Sequence, residues 1–416
     1  MTAAATTPGD LGEQLRRRLA PEGWPVPVDS LPAGTALVGG AVRDALLGSL
    51  TARPDLDFVV PVGAIDLCRR LARQLGGTAV VLDAERDIAR LVLRRWTIDL
   101  ACQEGPDLAS DLRRRDYSAN AIALPLAPGT DPLDPTGGLA DLARGQLVAV
   151  SEANLLSDPL RLLRGVRLSC ELGLELEATT HRWIHLHAAH LGDVAGERVL
   201  AELDKLACLP SGELGLQQAW AAGLLSPWGA EIHPGLPLAA LGTAAAIERE
   251  LDSHETASAL RLARLAALLD GPALTGLNAS RKLQQQCQRL RHWASTLERQ
   301  VANANPLASP LDALGEGERL RLQRELEGDL PALLLAVPAA PARRAMQRWR
   351  DPADPLFHPQ PPLNGNQLQQ SLGLPPGPQL GQLLQHLCQE RAFGRLACGR
   401  EAAVVAARQW LDERRD

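Results

Sequence analysis

Lysine is nearly missing from this chain of 416 residues: of 43 lysines and arginines only Lys205 and Lys282 are lysines. Coding bias explains that first, although the planar guanidinium that replaces lysine also suits phosphate recognition. Seven cysteines, at positions 68, 102, 170, 208, 287, 388 and 398, include no Cys-x-x-Cys pair and form no even-numbered set. That excludes a disulfide-stapled scaffold and leaves reduced, structural thiols in a cytoplasm as the simplest reading. No apolar run approaches the ~20 residues of a membrane span, and the start MTAAATTPGDLGEQLRRR has no cationic stretch leading into an apolar one. A soluble, cytoplasmic protein with no membrane partner is expected. Excess positive charge is lacking too: the net charge of −6 argues against a protein that coats nucleic acid by bulk charge, while leaving room for a local basic groove.

What remains is a chain long enough for several folding units, with a change of pattern part-way along. In the first third, short β-branched runs at Ala36 to Val38, Leu56 to Val60, Thr78 to Leu82 and Thr97 to Ala101 alternate with helical stretches. They predict a sheet with helices on one face. From about Pro159 onward leucine and alanine recur at helical spacing, interrupted by Pro/Gly-rich breaks at Pro227 to Gly242, Asn303 to Gly317 and Asp351 to Gly365. An α+β fold is expected: a catalytic head over residues 1–150, then all-helical units over 151–225, 226–310 and 311–416.

Two features carry chemistry. A strand ending in Gly39-Gly40 and running into a helix presents free backbone N–H groups where a polyphosphate can bind. Taken alone it is equally a tight strand-to-helix turn. The glycines complete neither a dinucleotide fingerprint nor a Gly-Lys-Ser/Thr loop. Asp55 and Asp57 lie two apart at the start of a strand, so alternation puts both carboxylates on one side. Such a pair repels unless a cation lies between, and carboxylates with substrate phosphates are the usual way to hold Mg²⁺. Two turn-capping aspartates are the plainer alternative. Asp99, inside an alternating strand, is a candidate third carboxylate, whereas Glu104 lies past that strand in a turn.

These segments, with Arg43-Asp44, Arg114-Arg115-Asp116-Tyr-Ser-Ala-Asn120, Asp134-Pro-Thr-Gly137-Gly138-x-x-Asp141 and Asp158-Pro-Leu-Arg161-Leu-Leu-Arg164, resemble in order and spacing the class II tRNA nucleotidyltransferases and bacterial poly(A) polymerases. The match runs over roughly residues 35–205; a weaker one, Leu363-Asn-Gly365 with Leu372 to Gly381, resembles the family's C-terminal part. The resemblance implies a polymerase-β-like head followed by helical neck, body and tail with tRNA lying along the helices. It implies Mg²⁺ at Asp55 and Asp57, and Arg43, Arg114, Asp116, Asn120 and Arg164 contacting the incoming nucleotide or bracing its pocket. Template-independent addition of cytidine to the tRNA 3′ end is expected, with CTP and possibly ATP as substrates. Poly(A) synthesis is the alternative, and a non-catalytic RNA-binding protein the rival from another class.

Asp158 and Arg161, three apart in a helix-compatible stretch, can face one spot and match the donor and acceptor pattern of a cytosine edge. The family carries a glutamate where this chain has Ser157, which removes a partner that could orient the arginine. His181, His185, His187 and His190 lack a partnering pattern and read as surface or RNA-facing side chains. Arg343, Arg344, Arg348 and Arg350 around Trp349 suit either a tRNA-contacting strip or a solvated helix face. Between Cys102 and the helix opening at Leu108 stand only five residues, Gln103 to Asp107. Full CCA-adding members have a long flexible loop there, so the resemblance favours an enzyme that stops after two cytidines and leaves adenosine to a companion enzyme.

Overall fold

Short apolar and β-branched runs build a six-stranded sheet in the first part of the chain, two of its strands alternating in burial. In the computed structural model, which describes residues 10–303, 310–397 and 399–414, the strands are β1 (Ala36–Val38), β2 (Leu56–Val60), β3 (Thr78–Asp83), β4 (Ile88–Leu93), β5 (Trp96–Cys102) and β6 (Ala123–Pro125). Their order is β3-β4-β5-β2-β1-β6, with β2 and β5 parallel and every other neighbouring pair antiparallel. The four strands expected from sequence are present. Strand β4 was not expected: it joins β5 through Arg94-Arg95, and Arg94 takes a φ of +54° with no glycine or asparagine to mark the turn.

Register decides what each face carries. Leu56, Phe58, Leu91, Ile98 and Leu100 are buried on one face, and helix α3 (Ala64–Leu75), whose own Leu67, Cys68 and Leu71 are buried, packs against β3, β4 and β5. The other face carries Asp57, Asp99 and Arg90 in adjacent register. Beside them Ala36, Val38 and Val59 form a small apolar cluster with Ala121, Ala123 and Leu112. Leu112 belongs to α4 (Leu108–Leu112), so helices do not keep to one face as the sequence pattern suggested. Helices α1 (Asp10–Leu19) and α2 (Gly40–Leu47) pack on each other. Then follow α5 (Gly138–Ala143), α6 (Glu152–Ser157), α7 (Leu160–Leu172) and α8 (Ala178–Leu186), with a two-stranded parallel pair, β7 (Gln146–Leu147) and β8 (Glu175–Leu176).

The chain divides into two compact units between Val194 and Ala195, inside the stretch 151–225 that the sequence assigns to one helical unit. The second unit holds α9 (Gly196–Cys208), α10 (Gly212–Ala221), α11 (Thr243–Glu248), α12 (Ser253–Leu268), α13 (Gly271–Gly276), α14 (Arg281–Asn303), α15 (Glu316–Leu326), α16 (Leu330–Leu334), α17 (Ala339–Trp349), α18 (Gly365–Leu372), α19 (Pro378–Ala392) and α20 (Arg400–Asp412), and no strand among the described residues. Helix α12 contacts α9, α14 and α16 and is buried over most of its length. Helices α18, α19 and α20 enclose a separate cluster around Leu368, Leu383, Leu387 and Trp410. The break at Asn303 to Gly317 falls partly outside the described residues. Among those described, no helix is long and apolar enough to cross a membrane.

Candidate active site

The turn after β1 needs glycine. Gly39 has φ 73° and ψ −137°, a region closed to residues with a Cβ. A Cβ there would also lie 3.2 Å from Oδ2 of Asp57. The start of α2, with its unpaired amides, therefore sits against the Asp57 carboxylate. No hydrogen bond from the described residues acts on the Asp57 carboxylate. Its pKa is pushed up from 3.8 to about 6, first by burial, then by the charge of Asp99, with Asp55 adding to the rise while Arg115 and Arg164 oppose it. Asp55 precedes β2 and is exposed. Asp99 pairs with Asp57 in register, but its two oxygens accept the Arg90 fork, Nε to Oδ1 at 2.7 Å and Nη2 to Oδ2 at 2.8 Å. It enters the site as a salt-bridged neighbour of Asp57.

A chain of polar contacts ties the remaining motif residues together. Buried Arg43 donates from Nε to Asp44 Oδ1 at 2.8 Å and from Nη1 to Asn120 Oδ1 at 2.7 Å. The Asn120 amide donates to Asp116 Oδ1 at 3.2 Å, and half-exposed Arg164 approaches Asp116 Oδ2 at 3.3 Å. Burial is the strongest influence on Asp116 and works to raise its pKa; Arg164, the Tyr117 amide and the Asn120 amide outweigh it, so the group is held below the usual carboxylate range. Tyr117 locks this chain to α7: its buried hydroxyl donates to the Arg161 carbonyl at 2.7 Å. The contact requires Gly165, where a Cβ would stand 1.9 Å from the tyrosine oxygen.

Arg161 is oriented by backbone instead of by the glutamate that Ser157 replaces. Its Nη1 donates to the carbonyls of Asn154 at 2.8 Å and Arg114 at 3.2 Å and to Ser157 Oγ at 3.3 Å. Asn154 in turn donates to the carbonyls of Arg113 and Arg115, at 2.8 and 2.7 Å. Burial lowers the Arg161 pKa, against the pull of Asp116 and Asp158. Asp158 does not share a helix with Arg161 as its spacing suggested: it is extended, at φ −146° and ψ 94°, because Pro159 disfavours helical backbone in the residue before it. Arg114, expected at the nucleotide, reaches Glu104 at 2.6 Å.

The comparisons fit this geometry. Residues 35–148 match the model of the poly A polymerase head domain, and residues 173–235 match that of a probable RNA- and SrmB-binding site of polymerase A. A CC-adding tRNA nucleotidyltransferase of Synechocystis sp. is 34% identical, over 90% of this chain and 94% of its own length. The chain belongs to the class II tRNA nucleotidyltransferase family. Within that family an A-adding enzyme of Deinococcus radiodurans is 32% identical over 93% of this chain and 98% of its own, so overall similarity does not separate members by the base they add. A solved structure of a CCA-adding enzyme with CTP superposes with a TM-score of 0.69 over 92% of this chain and 91% of that one, at 20% identity, which speaks for the fold.

Family members of the polymerase-β type generally use a divalent metal, and the residues present fit one. Asp55 and Asp57 stand two residues apart, and the Asp57 pKa is raised first by burial and then by the charges of Asp99 and Asp55, charges that a bound cation would offset. No cluster of three or more metal-ligating side chains occurs among the described residues. Outside this site, His187 pairs with Glu152 and His190 with Asp193, while His181 and His185 face each other at 3.2 Å. Of the arginines near Trp349, Arg343 donates to the Glu248 carbonyl, Arg348 pairs with Asp354 and Arg350 with Glu255, each still partly exposed, and Arg344 is exposed. Arg115, Arg90, Tyr117, Asn154 and Gly165 were not singled out from sequence. Of these Arg115 and Tyr117 stood in a quoted motif; Arg90, Asn154 and Gly165 act through contacts 9 to 48 residues apart, such as Arg90 with Asp99 and Gly165 with Tyr117.

Proposed function

We propose that this chain is a cytoplasmic enzyme that adds two cytidines to the 3′ end of tRNA from CTP, without a template and with release of pyrophosphate, and leaves the terminal adenosine to a companion A-adding enzyme. The observation that carries the two-cytidine reading is the segment after β5. Gln103 N–H donates to the Val60 carbonyl at 2.8 Å, Glu104 N–H to Asp111 Oδ1 at 3.0 Å, and Asp107 caps α4 by accepting from Ser110 N–H at 2.7 Å. A segment so short and so fully bonded has no length left to reshape a pocket between cytosine and adenine.

On this reading Asp55 and Asp57 would hold Mg²⁺, whose positive charge would offset the charge that develops on the α-phosphate and the leaving pyrophosphate. The amides at Gly39 and Gly40 and the guanidinium of Arg164 bind the triphosphate, Arg43, Asp44, Asp116 and Asn120 brace the ribose side, and Asp158 with Arg161 reads the base, while Arg114, held by Glu104, contributes its carbonyl to Arg161. Residues 1–150 would be the head, 151–225 the neck, 226–310 the body and 311–416 the tail that carries tRNA. Incubation with tRNA lacking its 3′ end, first with CTP and then with CTP plus ATP, tests specificity. Products two nucleotides longer in both reactions are expected; efficient formation of a three-nucleotide product ending in A refutes the CC-only reading.

A further inference from the structure

The turn after β5 carries one acidic side chain with more partners than a solvated surface group needs. Glu104 Oε1 accepts from Arg86 Nε at 2.8 Å and Nη2 at 2.5 Å, and its Oε2 meets Arg114 Nη2 at 2.6 Å. The glutamate side chain is 25% exposed, the two arginines 57% and 64%. The Arg114 carbonyl is one of the acceptors that hold Arg161, at 3.2 Å. Arg86 also lies close enough for its charge to act on Arg161. Glu104 thus sits one residue away from the guanidinium assigned to the base edge, and it joins β3–β4, the turn after β5 and the Arg113–Arg115 turn in a single ionic cluster.

We propose that Glu104 is a positioning residue for base selection: by clamping Arg86 and Arg114 it fixes the backbone carbonyl that holds Arg161 in one orientation. The proposal rests on the reading of Arg161 as base reader. An exposed pair would contribute too little to matter, but here one partly buried carboxylate takes three N–H donors and its removal frees two cations beside a third. Without Glu104 the charge of Arg86 acts on Arg161 with no carboxylate to offset it, and the turn loses the tie to Arg114. The pocket then admits other base edges without losing the metal or phosphate groups.

The test compares Glu104→Gln, Glu104→Ala and Arg161→Ala with the parent, measuring kcat and KM for CTP, UTP and ATP on tRNA lacking its 3′ end. For Glu104→Ala the CTP over UTP ratio of kcat/KM should fall about tenfold, through KM for CTP, with kcat within about threefold of the parent. Glu104→Gln, which keeps the shape and loses the charge, should fall between the two and guards against a folding defect in the alanine variant. Unchanged discrimination in both Glu104 variants, alongside its loss in Arg161→Ala, overturns the clamp and leaves the base-reading assignment standing. Unchanged discrimination in Arg161→Ala overturns both.

Discussion

Asp57 is where burial, charge and catalysis meet. Its carboxyl is raised from 3.8 to about 6 in the folded protein, so the native state binds that proton more tightly than the unfolded chain does. The resulting stabilisation is complete below pH about 4 and disappears as pH rises through about 6. Above that, the metal-free protein carries a charge that burial and neighbouring carboxylates oppose. Asp57→Asn should therefore be more stable than the parent at pH 7.5 in the presence of a chelator, with about 2–4 °C of thermal midpoint for each kcal/mol gained, and less so at pH 4. The same variant should lose nucleotide addition, because a neutral amide cannot hold the cation. Adding Mg²⁺ at pH 7.5 should raise the midpoint of the parent and leave the variant unmoved. A variant that melts below the parent at both pH values would show that Asp57 is not under electrostatic strain.

Between elements, fit is set by single atoms. Helix α7 approaches Tyr117 so closely at Gly165 that alanine must displace the phenol from the Arg161 carbonyl. Gly165→Ala should cost about 1–3 kcal/mol by overpacking and lower addition activity, whereas Tyr117→Phe keeps the packing and should cost about 1 kcal/mol for one hydrogen bond. Urea unfolding of both variants checks this, and a larger loss for phenylalanine than for alanine would be evidence against the close contact. In the helical unit, Arg264 is wholly buried in α12 and donates to the carbonyls of Ala207, Leu209, Pro210 and Leu241 while pairing with Glu213. It fastens the end of α9 to α12. Arg264→Met should cost about 3–5 kcal/mol, since Glu213 and several carbonyls lose their donor, read as a lower urea midpoint; a change under 1 kcal/mol would mean that water replaces the guanidinium. Sequence periodicity exposed β1, β2, β3 and β5 because each alternates or runs apolar between turn signals. It hid β4 behind an Arg-Arg turn, and it gave no sign of Arg264, whose role depends on carbonyls more than fifty residues earlier.

Across the whole molecule, the motif residues from Gly39 to Arg164 stood out because they are fixed types at short spacing: two glycines at a helix start, two aspartates flanking the first residue of a strand, an arginine near a carboxylate. What spacing could not reveal was which of them are already paired. Arg43 is held by Asp44 and Asn120, Asp99 by Arg90 and Arg114 by Glu104. All the residues proposed to bind nucleotide belong to the first compact unit, which ends at Val194. A ligand at 100 times its Kd stabilises the bound state by about 2.7 kcal/mol, and amides that open together with the site are protected accordingly. Hydrogen exchange of the full chain with CTP and Mg²⁺ should therefore slow at the start of α2, along β2, over Arg114 to Asn120 and at the start of α7, and leave residues from Ala195 onward unchanged. UTP should protect the amides that face the triphosphate, at Gly39 and Gly40, yet protect the start of α7 less, because the mismatched base edge leaves Arg161 and Asp158 unpaired with it. Equal protection of α7 by the two nucleotides would move base reading away from Arg161, and protection confined to the second unit would move the nucleotide site itself.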